Sequence, residues 1–173
     1  MLDWIFESTS NLIFTVLLLS RAGDVLTTRI ATPTLKLEMN PVVRKLRWPF
    51  AYASLLISFV AFYDINIATM FAVVSLLVSA SNATKMWSMK AIGEEEYYAF
   101  LTKIALSTSI WFSLICFWLP GIFYFLLAVI LIAFTGDRGI YVAWGFIAYS
   151  LVIGIYSTRF FFRVRKVASA KHD

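Results

Sequence analysis

The feature that most constrains this chain is an apolar stretch from Ile104 to Phe134 that contains no charged residue. As one continuous helix it would be about 47 Å long at about 1.5 Å per residue, longer than a hydrocarbon core of roughly 30 Å. Pro120 followed by Gly121 interrupts the stretch, and this pair is a strong turn signal. We therefore expect two membrane helices that turn at this pair.

The composition agrees with a membrane environment. Hydrophobic residues make up 61% of the chain and charged residues 14%, whereas soluble domains have roughly 45–50% and about 25%. Too little polar surface remains to cover so much apolar volume in water. The sequence predicts an all-α, polytopic transmembrane helix bundle in the cell (plasma) membrane, with one domain at residues 1–162 and a basic tail at 163–173.

The remaining apolar segments set the number of spans. The first segment starts near Trp4 and ends between Gly23 and Ile30. The other three cover Pro49 to Tyr63, Ile67 to about Lys85, and Ile140 to Phe162. With a turn at Pro120 the chain has six spans, and with one kinked helix there it has five. Asn40 and Pro41 match an N-cap and a first helical residue, so we also expect a short interfacial helix, PVVRKLRW, after the first span.

Basic residues near the spans predict the orientation. With six spans, the basic loop after the first helix shares a side with the linker around residues 85–103, and both termini lie outside the cell. The basic tail argues for the five-span alternative, because that arrangement places it inside with the other basic loops. The turn signal at Pro120 and Gly121 leads us to predict six spans, with five as the alternative.

Histidine and cysteine are nearly absent, which limits the chemistry. His172 is the penultimate residue and Cys116 lies in an apolar run. Within one chain these residues cannot supply a histidine-based metal centre, a Ser-His triad or an internal disulfide. We therefore predict no catalytic residue and no cofactor, and leave open whether a metal binds.

Polar residues gather at the end of the first span. Arg21, Asp24 and Thr28 are three and four residues apart, so they share one helix face. A helix that starts at Trp4 places Asp24 at the inner boundary, where a charge costs much less than at the midplane. An ordinary Arg-Asp pair, with threonines bonded to preceding carbonyls, explains the same pattern.

Three further residues lie at the same predicted depth. Asn82 is at the inner end of the third span, and Glu38 and Asn40 are in the loop after the first span. An interhelical hydrogen bond explains Asn82, capping explains Asn40, and pairing with Arg29, Arg44 or Lys45 explains Glu38. Together they predict a ligand-binding pocket formed by Arg21, Asp24, Thr28, Glu38, Asn40 and Asn82.

Asp24, Thr27 and Thr28, followed by Glu38, Asn40 and Pro41, form a D-x-x-T-T … E-x-N-P pattern. It resembles the signature of a family of small, uncharacterised prokaryotic polytopic membrane proteins. The resemblance covers roughly residues 20–47, with Asn82 as a weaker match, and it implies that these positions belong together. The helices after residue 100 extend beyond the family's usual short form.

Three functions fit these patterns. The first is binding or transport of a small cation, a proton or a polar headgroup at the inner-face pocket, since carboxylate and amide oxygens are hard ligands. The second is an accessory or scaffold subunit with a membrane-protein partner or a second copy of the chain. The third is an interfacial lipid-modifying enzyme. The net charge of +5 lies in loops beside the bilayer, so we expect contacts with anionic headgroups and no nucleic acid.

Overall fold

The computed structural model describes residues 2–169, without the side chains of residues 2–7, Arg138 and Ser169. Its helices are α1 (Leu2–Ala31), α2 (Pro41–Ala53), α3 (Ile65–Ile92), α4 (Glu94–Ser107), α5 (Ile110–Thr135) and α6 (Ile140–Ser169), with two 3-10 helices, η1 (Ser54–Phe62) and η2 (Gly136–Gly139). No strand occurs in this range. The predicted all-α class is confirmed.

Four helical segments are long and apolar enough to cross a membrane. They are Ser8–Ala31 of α1, Ile65–Ile92, Ile110–Thr135 and Ile140–Ala168. The predicted second span, Pro49 to Tyr63, instead forms the end of α2 and all of η1, so it is helical but is not one long α-helix. The predicted number of six spans is not confirmed.

The predicted turn at Pro120 and Gly121 is wrong, because α5 runs through both residues. A proline removes one backbone hydrogen bond and crowds the carbonyl four residues before it, and membrane helices tolerate this because neighbouring groups satisfy the freed backbone atoms. Gly121 serves packing instead, since a Cβ there would lie 2.9 Å from the backbone oxygen of Ser150 in α6. The pair therefore marks a close helix contact.

The N-terminal half of the bundle contains three segments of alternating direction. The Phe14 ring of α1 lies 5.3 Å from that of Phe59 and 5.0 Å from that of Phe62, at the end of η1. Further along α1, Arg21 contacts Ser54 at the start of η1, so η1 is antiparallel to α1.

The direction of α3 follows from two contacts with α1. Arg21 contacts Ser75 of α3, and Leu17, one turn earlier in α1, packs in a cluster with the earlier residues Ala68 and Ala72 of α3. Thus α3 is parallel to α1.

The C-terminal half is a hairpin of α5 and α6. Tyr124 of α5 contacts Tyr149 of α6, and Phe117 contacts Phe161, so the two helices are antiparallel. Gly145 of α6 lies against Val73 of α3. Leu37 after α1 and Met89 of α3 pack with Phe161 near the end of α6, so the C-terminal ends of α1, α3 and α6 lie together with the start of α5. We call this end of the bundle the basic end.

The basic end contains a small apolar core of its own. Leu37, from the loop between α1 and α2, is buried with Ala105, Phe160, Phe161 and Val164. These residues come from α4 and from the last turns of α6, which continues to Ser169 as a helix. The predicted basic tail is thus helical through residue 169, and residues 170–173 lie outside the described range. The loop after α1 is consequently fixed by packing.

Two local features of this end differ from expectation. Asn40 caps α2, as the sequence predicts, and its side chain accepts from the Val42 N–H. The helix then breaks at Arg47, where φ is 63°, so the predicted helix PVVRKLRW is interrupted one residue before its end. The linker after α3 contains α4, which we did not predict. Its three leading glutamates stabilise the N-terminus of that helix.

We expect Gly145→Ala to separate α3 from α6. An added Cβ would lie 2.6 Å from Val73 Cβ and 3.1 Å from the Met70 backbone oxygen. Overpacking of this kind costs roughly 1–3 kcal/mol, although Gly→Ala in an open helix normally stabilises. Thermal unfolding in detergent measures the effect, with Ala80→Val on the exposed side of α3 as the control. An unchanged or higher midpoint for Gly145→Ala would contradict the close contact.

Candidate functional site

Arg21 is at the centre of the predicted site. Its Nη1 donates to Asp24 Oδ2 at 2.9 Å and to Ser75 Oγ at 3.5 Å, and its Nη2 donates to Ser54 Oγ at 2.6 Å. The acceptors belong to α1, α3 and η1. Both charged side chains are mostly withdrawn from solvent, with relative exposures of 20% for Arg21 and 15% for Asp24. One guanidinium therefore connects three segments.

Asn82 completes the network from α3. Its Nδ2 donates to Thr28 Oγ1 at 3.0 Å and to Asp24 Oδ1 at 3.5 Å. A close approach of α1 and α3 makes this reach possible, since a Cβ at Gly23 would lie 2.9 Å from Ser79 Oγ. We call Arg21, Asp24, Thr28, Ser54, Ser75 and Asn82 the polar cluster. Four of the six predicted site residues are thus brought together.

Thr27, next to Thr28, does not take part. Its hydroxyl donates to the backbone oxygens of Gly23 and Asp24, which is the ordinary way for a helical threonine to satisfy its hydroxyl. The simpler explanation that we considered for the threonines therefore applies to Thr27, whereas the Thr28 hydroxyl joins two helices.

Asn40 and Glu38 lie in the loop beside the cluster. The Asn40 N–H donates to Glu38 Oε1 at 2.6 Å, and the Asn40 side chain is used in capping α2. Burial raises the pKa of Glu38 above its ordinary value, and the nearby Asp24 carboxylate raises this pKa further. The Asn40 N–H and the Arg44 charge lower the pKa, but they do not outweigh the effect of burial. Asn40 is therefore a capping residue, and Glu38 interacts electrostatically with the cluster.

The cations expected to neutralise Glu38 form no ion pair with it among the described residues, although the Arg44 charge acts on it at longer range. Arg29 lies over the rings of Trp48 and Tyr52. Within the described residues, ion pairs join Arg21 to Asp24 and Lys36 to Glu95, and none involves Glu38. The Glu38 carboxylate thus faces another acid without a directly bonded counterion.

Two residues that sequence reasoning missed fix the loop. The Glu94 carboxylate accepts from the Thr32 hydroxyl, from Thr34 N at 3.1 Å and from Lys36 N at 3.0 Å. Partial burial alone would raise the pKa of Glu94, but these hydrogen bonds outweigh it and lower the pKa. Arg163 donates to the backbone oxygens of Lys36 and Glu38 at 3.2 and 3.3 Å. No local pattern identifies these contacts, because the partners are about 60 and 125 residues apart.

The chemistry available to the cluster follows from its donors. Two nitrogen-bearing side chains, Arg21 and Asn82, direct N–H groups at Asp24, which disfavours a metal cation beside that carboxylate. The described residues contain no group of three His, Cys, Asp or Glu placed to hold a metal. Of the two acids beside the polar cluster, Asp24 is in an ion pair with Arg21, whereas Glu38 can gain or lose a proton without breaking one.

We expect Asp24→Asn to destabilise the protein by roughly 3 kcal/mol, because it leaves the Arg21 charge inside the bundle without its counterion. The double variant Arg21→Gln/Asp24→Asn should lose less than the sum of the two single variants, since the two residues interact directly. Thermal unfolding of all four proteins completes the cycle. Additive losses would mean that the pair contributes no coupling.

Comparison with models of protein families, with curated proteins and with solved structures found no match for this chain. The resemblance that rests on Asp24, Thr27, Thr28, Glu38, Asn40 and Pro41 therefore stays a prediction.

Proposed function

We propose that this chain is a multi-pass protein of the cell membrane that crosses the bilayer five times. The crossings are α1, the segment from Trp48 through η1, α3, α5 and α6. Four of them are long and apolar enough to span. The fifth is supported by its path along α1: Trp48 donates to the Pro33 oxygen just beyond the end of α1, Ser54 contacts Arg21, and Phe62 lies beside Phe14.

The distribution of cations supports this arrangement. Of the 15 Lys and Arg residues, Arg138 lies in η2 and Lys171 lies outside the described range. The others occupy the half of the bundle that includes the basic end. Because cytoplasmic loops are enriched in Lys and Arg, we place the basic end in the cytoplasm and the start of α1 outside. This topology removes the conflict that the basic C-terminal segment creates with six spans.

The first half of α2 is suited to the cytoplasmic membrane surface. Val42 and Leu46, one helical turn apart, are 44% and 49% exposed, and Arg44 and Lys45 lie between them. Such a segment can insert its apolar side chains among the lipids and keep its cations at the headgroups. The break at Arg47 then separates the surface helix from the crossing segment.

The function that we propose is reversible binding of a proton at Glu38, beside the polar cluster. The observation that carries it is the position of the Glu38 carboxylate, half-buried, close to Asp24 and without a bonded cation among the described residues. A site of this kind favours the neutral, protonated acid. We therefore propose a proton as the ligand, in preference to a small cation or a polar headgroup, since N–H donors already bond to the neighbouring Asp24 carboxylate.

Infrared titration of the carboxyl C=O band tests the proposal. In the wild-type protein we expect a protonated carboxyl whose pKa lies above the ordinary value of about 4.3, and we expect Glu38→Gln to lack that band. Glu96→Gln, which changes an exposed glutamate of α4, is the control and should retain it. A band that persists in Glu38→Gln, or a wild-type pKa at or below the ordinary value, would overturn the proposal.

The free energy of unfolding should also depend on pH through Glu38. With a raised pKa the folded state binds the proton more tightly than the unfolded state. The contribution of Glu38 is then fully present below about pH 4.3 and is lost as pH rises through the raised pKa. Glu38→Gln should remove this part of the pH dependence of the unfolding midpoint, and Glu96→Gln should not.

A further inference from the structure

A shallow, open depression lined by cations, which we call the basic cleft, lies at the surface of the basic end. Its volume is about 370 Å³, and it is lined by Thr34, Leu35, Lys36, Arg44, Arg47, Tyr98 and Arg163. Four of these seven residues are cations and none is acidic. They come from the loop after α1, from α2, from α4 and from the end of α6, so the cleft exists only in the folded protein.

Two of the guanidinium groups are held in place by backbone oxygens. Arg47 Nη1 donates to Thr34 O at 3.3 Å, and Arg163 donates to Lys36 O and Glu38 O. A guanidinium has five N–H donors in a planar fork. These contacts therefore orient the two groups and leave further donors for a ligand.

The charge of the cleft is incompletely balanced. Lys36 forms an ion pair with Glu95, which does not line the cleft. Arg44 interacts with Glu38 at longer range. Neither Arg44, Arg47 nor Arg163 has a carboxylate within 4.0 Å among the described side chains. Gathered cations repel one another, and an anion that enters the cleft relieves this repulsion.

The backbone around the cleft is strained. Leu35 and Arg47 have φ values of 62° and 63°, and they are the non-glycine residues with positive φ in the described part of the chain. Both line the cleft. Non-glycine residues avoid this region unless the surrounding structure holds them there, and such strain concentrates at ligand sites.

We propose that the basic cleft binds the phosphate group of an anionic ligand, with Arg44, Arg47 and Arg163 as its donors. Arginine is suited to this because its planar fork matches phosphate oxygens. The phosphate can come from a phospholipid headgroup or from a free anion. The exposed Val42 and Leu46 beside Arg44 favour a lipid. This site is separate from Glu38, whose side chain does not line the cleft, and it does not depend on proton binding there.

The full chain, purified in a non-ionic detergent, should be titrated by calorimetry with dihexanoyl phosphatidylglycerol, with dihexanoyl phosphatidylcholine and with inorganic phosphate. We expect saturable binding of phosphatidylglycerol, and weaker binding of the zwitterionic lipid. Arg44→Gln should raise the Kd about tenfold, because it removes a charge-assisted hydrogen bond. Lys45→Gln removes the same charge from an exposed neighbour outside the cleft and should change the Kd less than twofold.

The arms of the titration separate the sources. Saturable binding of inorganic phosphate that is also sensitive to Arg44→Gln identifies a free anion and supports the phosphate site, and binding of phosphatidylglycerol alone identifies the headgroup. Equal losses in Arg44→Gln and Lys45→Gln would overturn the proposal, because they indicate a diffuse basic surface. No saturable binding of any probe would overturn it too. If Arg44→Gln unfolds, Arg47→Gln takes its place with the same expected increase in Kd.

Discussion

Inside the helix bundle, the two terminal nitrogens of the Arg21 guanidinium donate to acceptors on three segments at once, whereas its Nε is buried without a partner among the described residues. Asp24 supplies the charge on α1, Ser54 the hydroxyl at the start of η1, and Ser75 the hydroxyl on α3. Moving any one segment by a helical turn would leave buried donors unsatisfied, which costs more than an ordinary hydrogen bond contributes. The register of the N-terminal half therefore depends on this residue.

The basic end relies on a second kind of constraint. Its loop between α1 and α2 has little regular structure, yet Glu94 binds it from one side and Arg163 from the other. Leu37 fills the apolar core beneath it. Side chains from α4 and α6 thus order the segment that contains Glu38. The proposed proton site and the basic cleft share this ordered loop, although they use different side chains.

Local rules predicted part of this arrangement. Helical spacing placed Arg21, Asp24 and Thr28 on one face, and the length of the spans placed Asn82 at the same depth, so these four members of the polar cluster could be expected from the sequence. The contacts of Arg21 with Ser54 and Ser75 were not predicted. The contacts of Glu94 and Arg163 could not be expected, because they join distant residues through backbone atoms, and backbone atoms leave no sequence pattern. The turn predicted at Pro120 and Gly121 is wrong for a related reason. Gly121 packs against Ser150, which is distant in sequence, and a local turn rule does not take such a contact into account.

The short connection between α5 and α6 has a consequence for how the protein enters the bilayer. It consists of η2, and its Asp137 and Arg138 have formal charges that cancel. In the proposed topology this is the segment that is translocated last, and its single cation opposes translocation less than a cluster of cations would. The cations near the end of α6, by contrast, resist translocation. The two final helices would therefore insert as a single hairpin, with α6 held back by its own basic end.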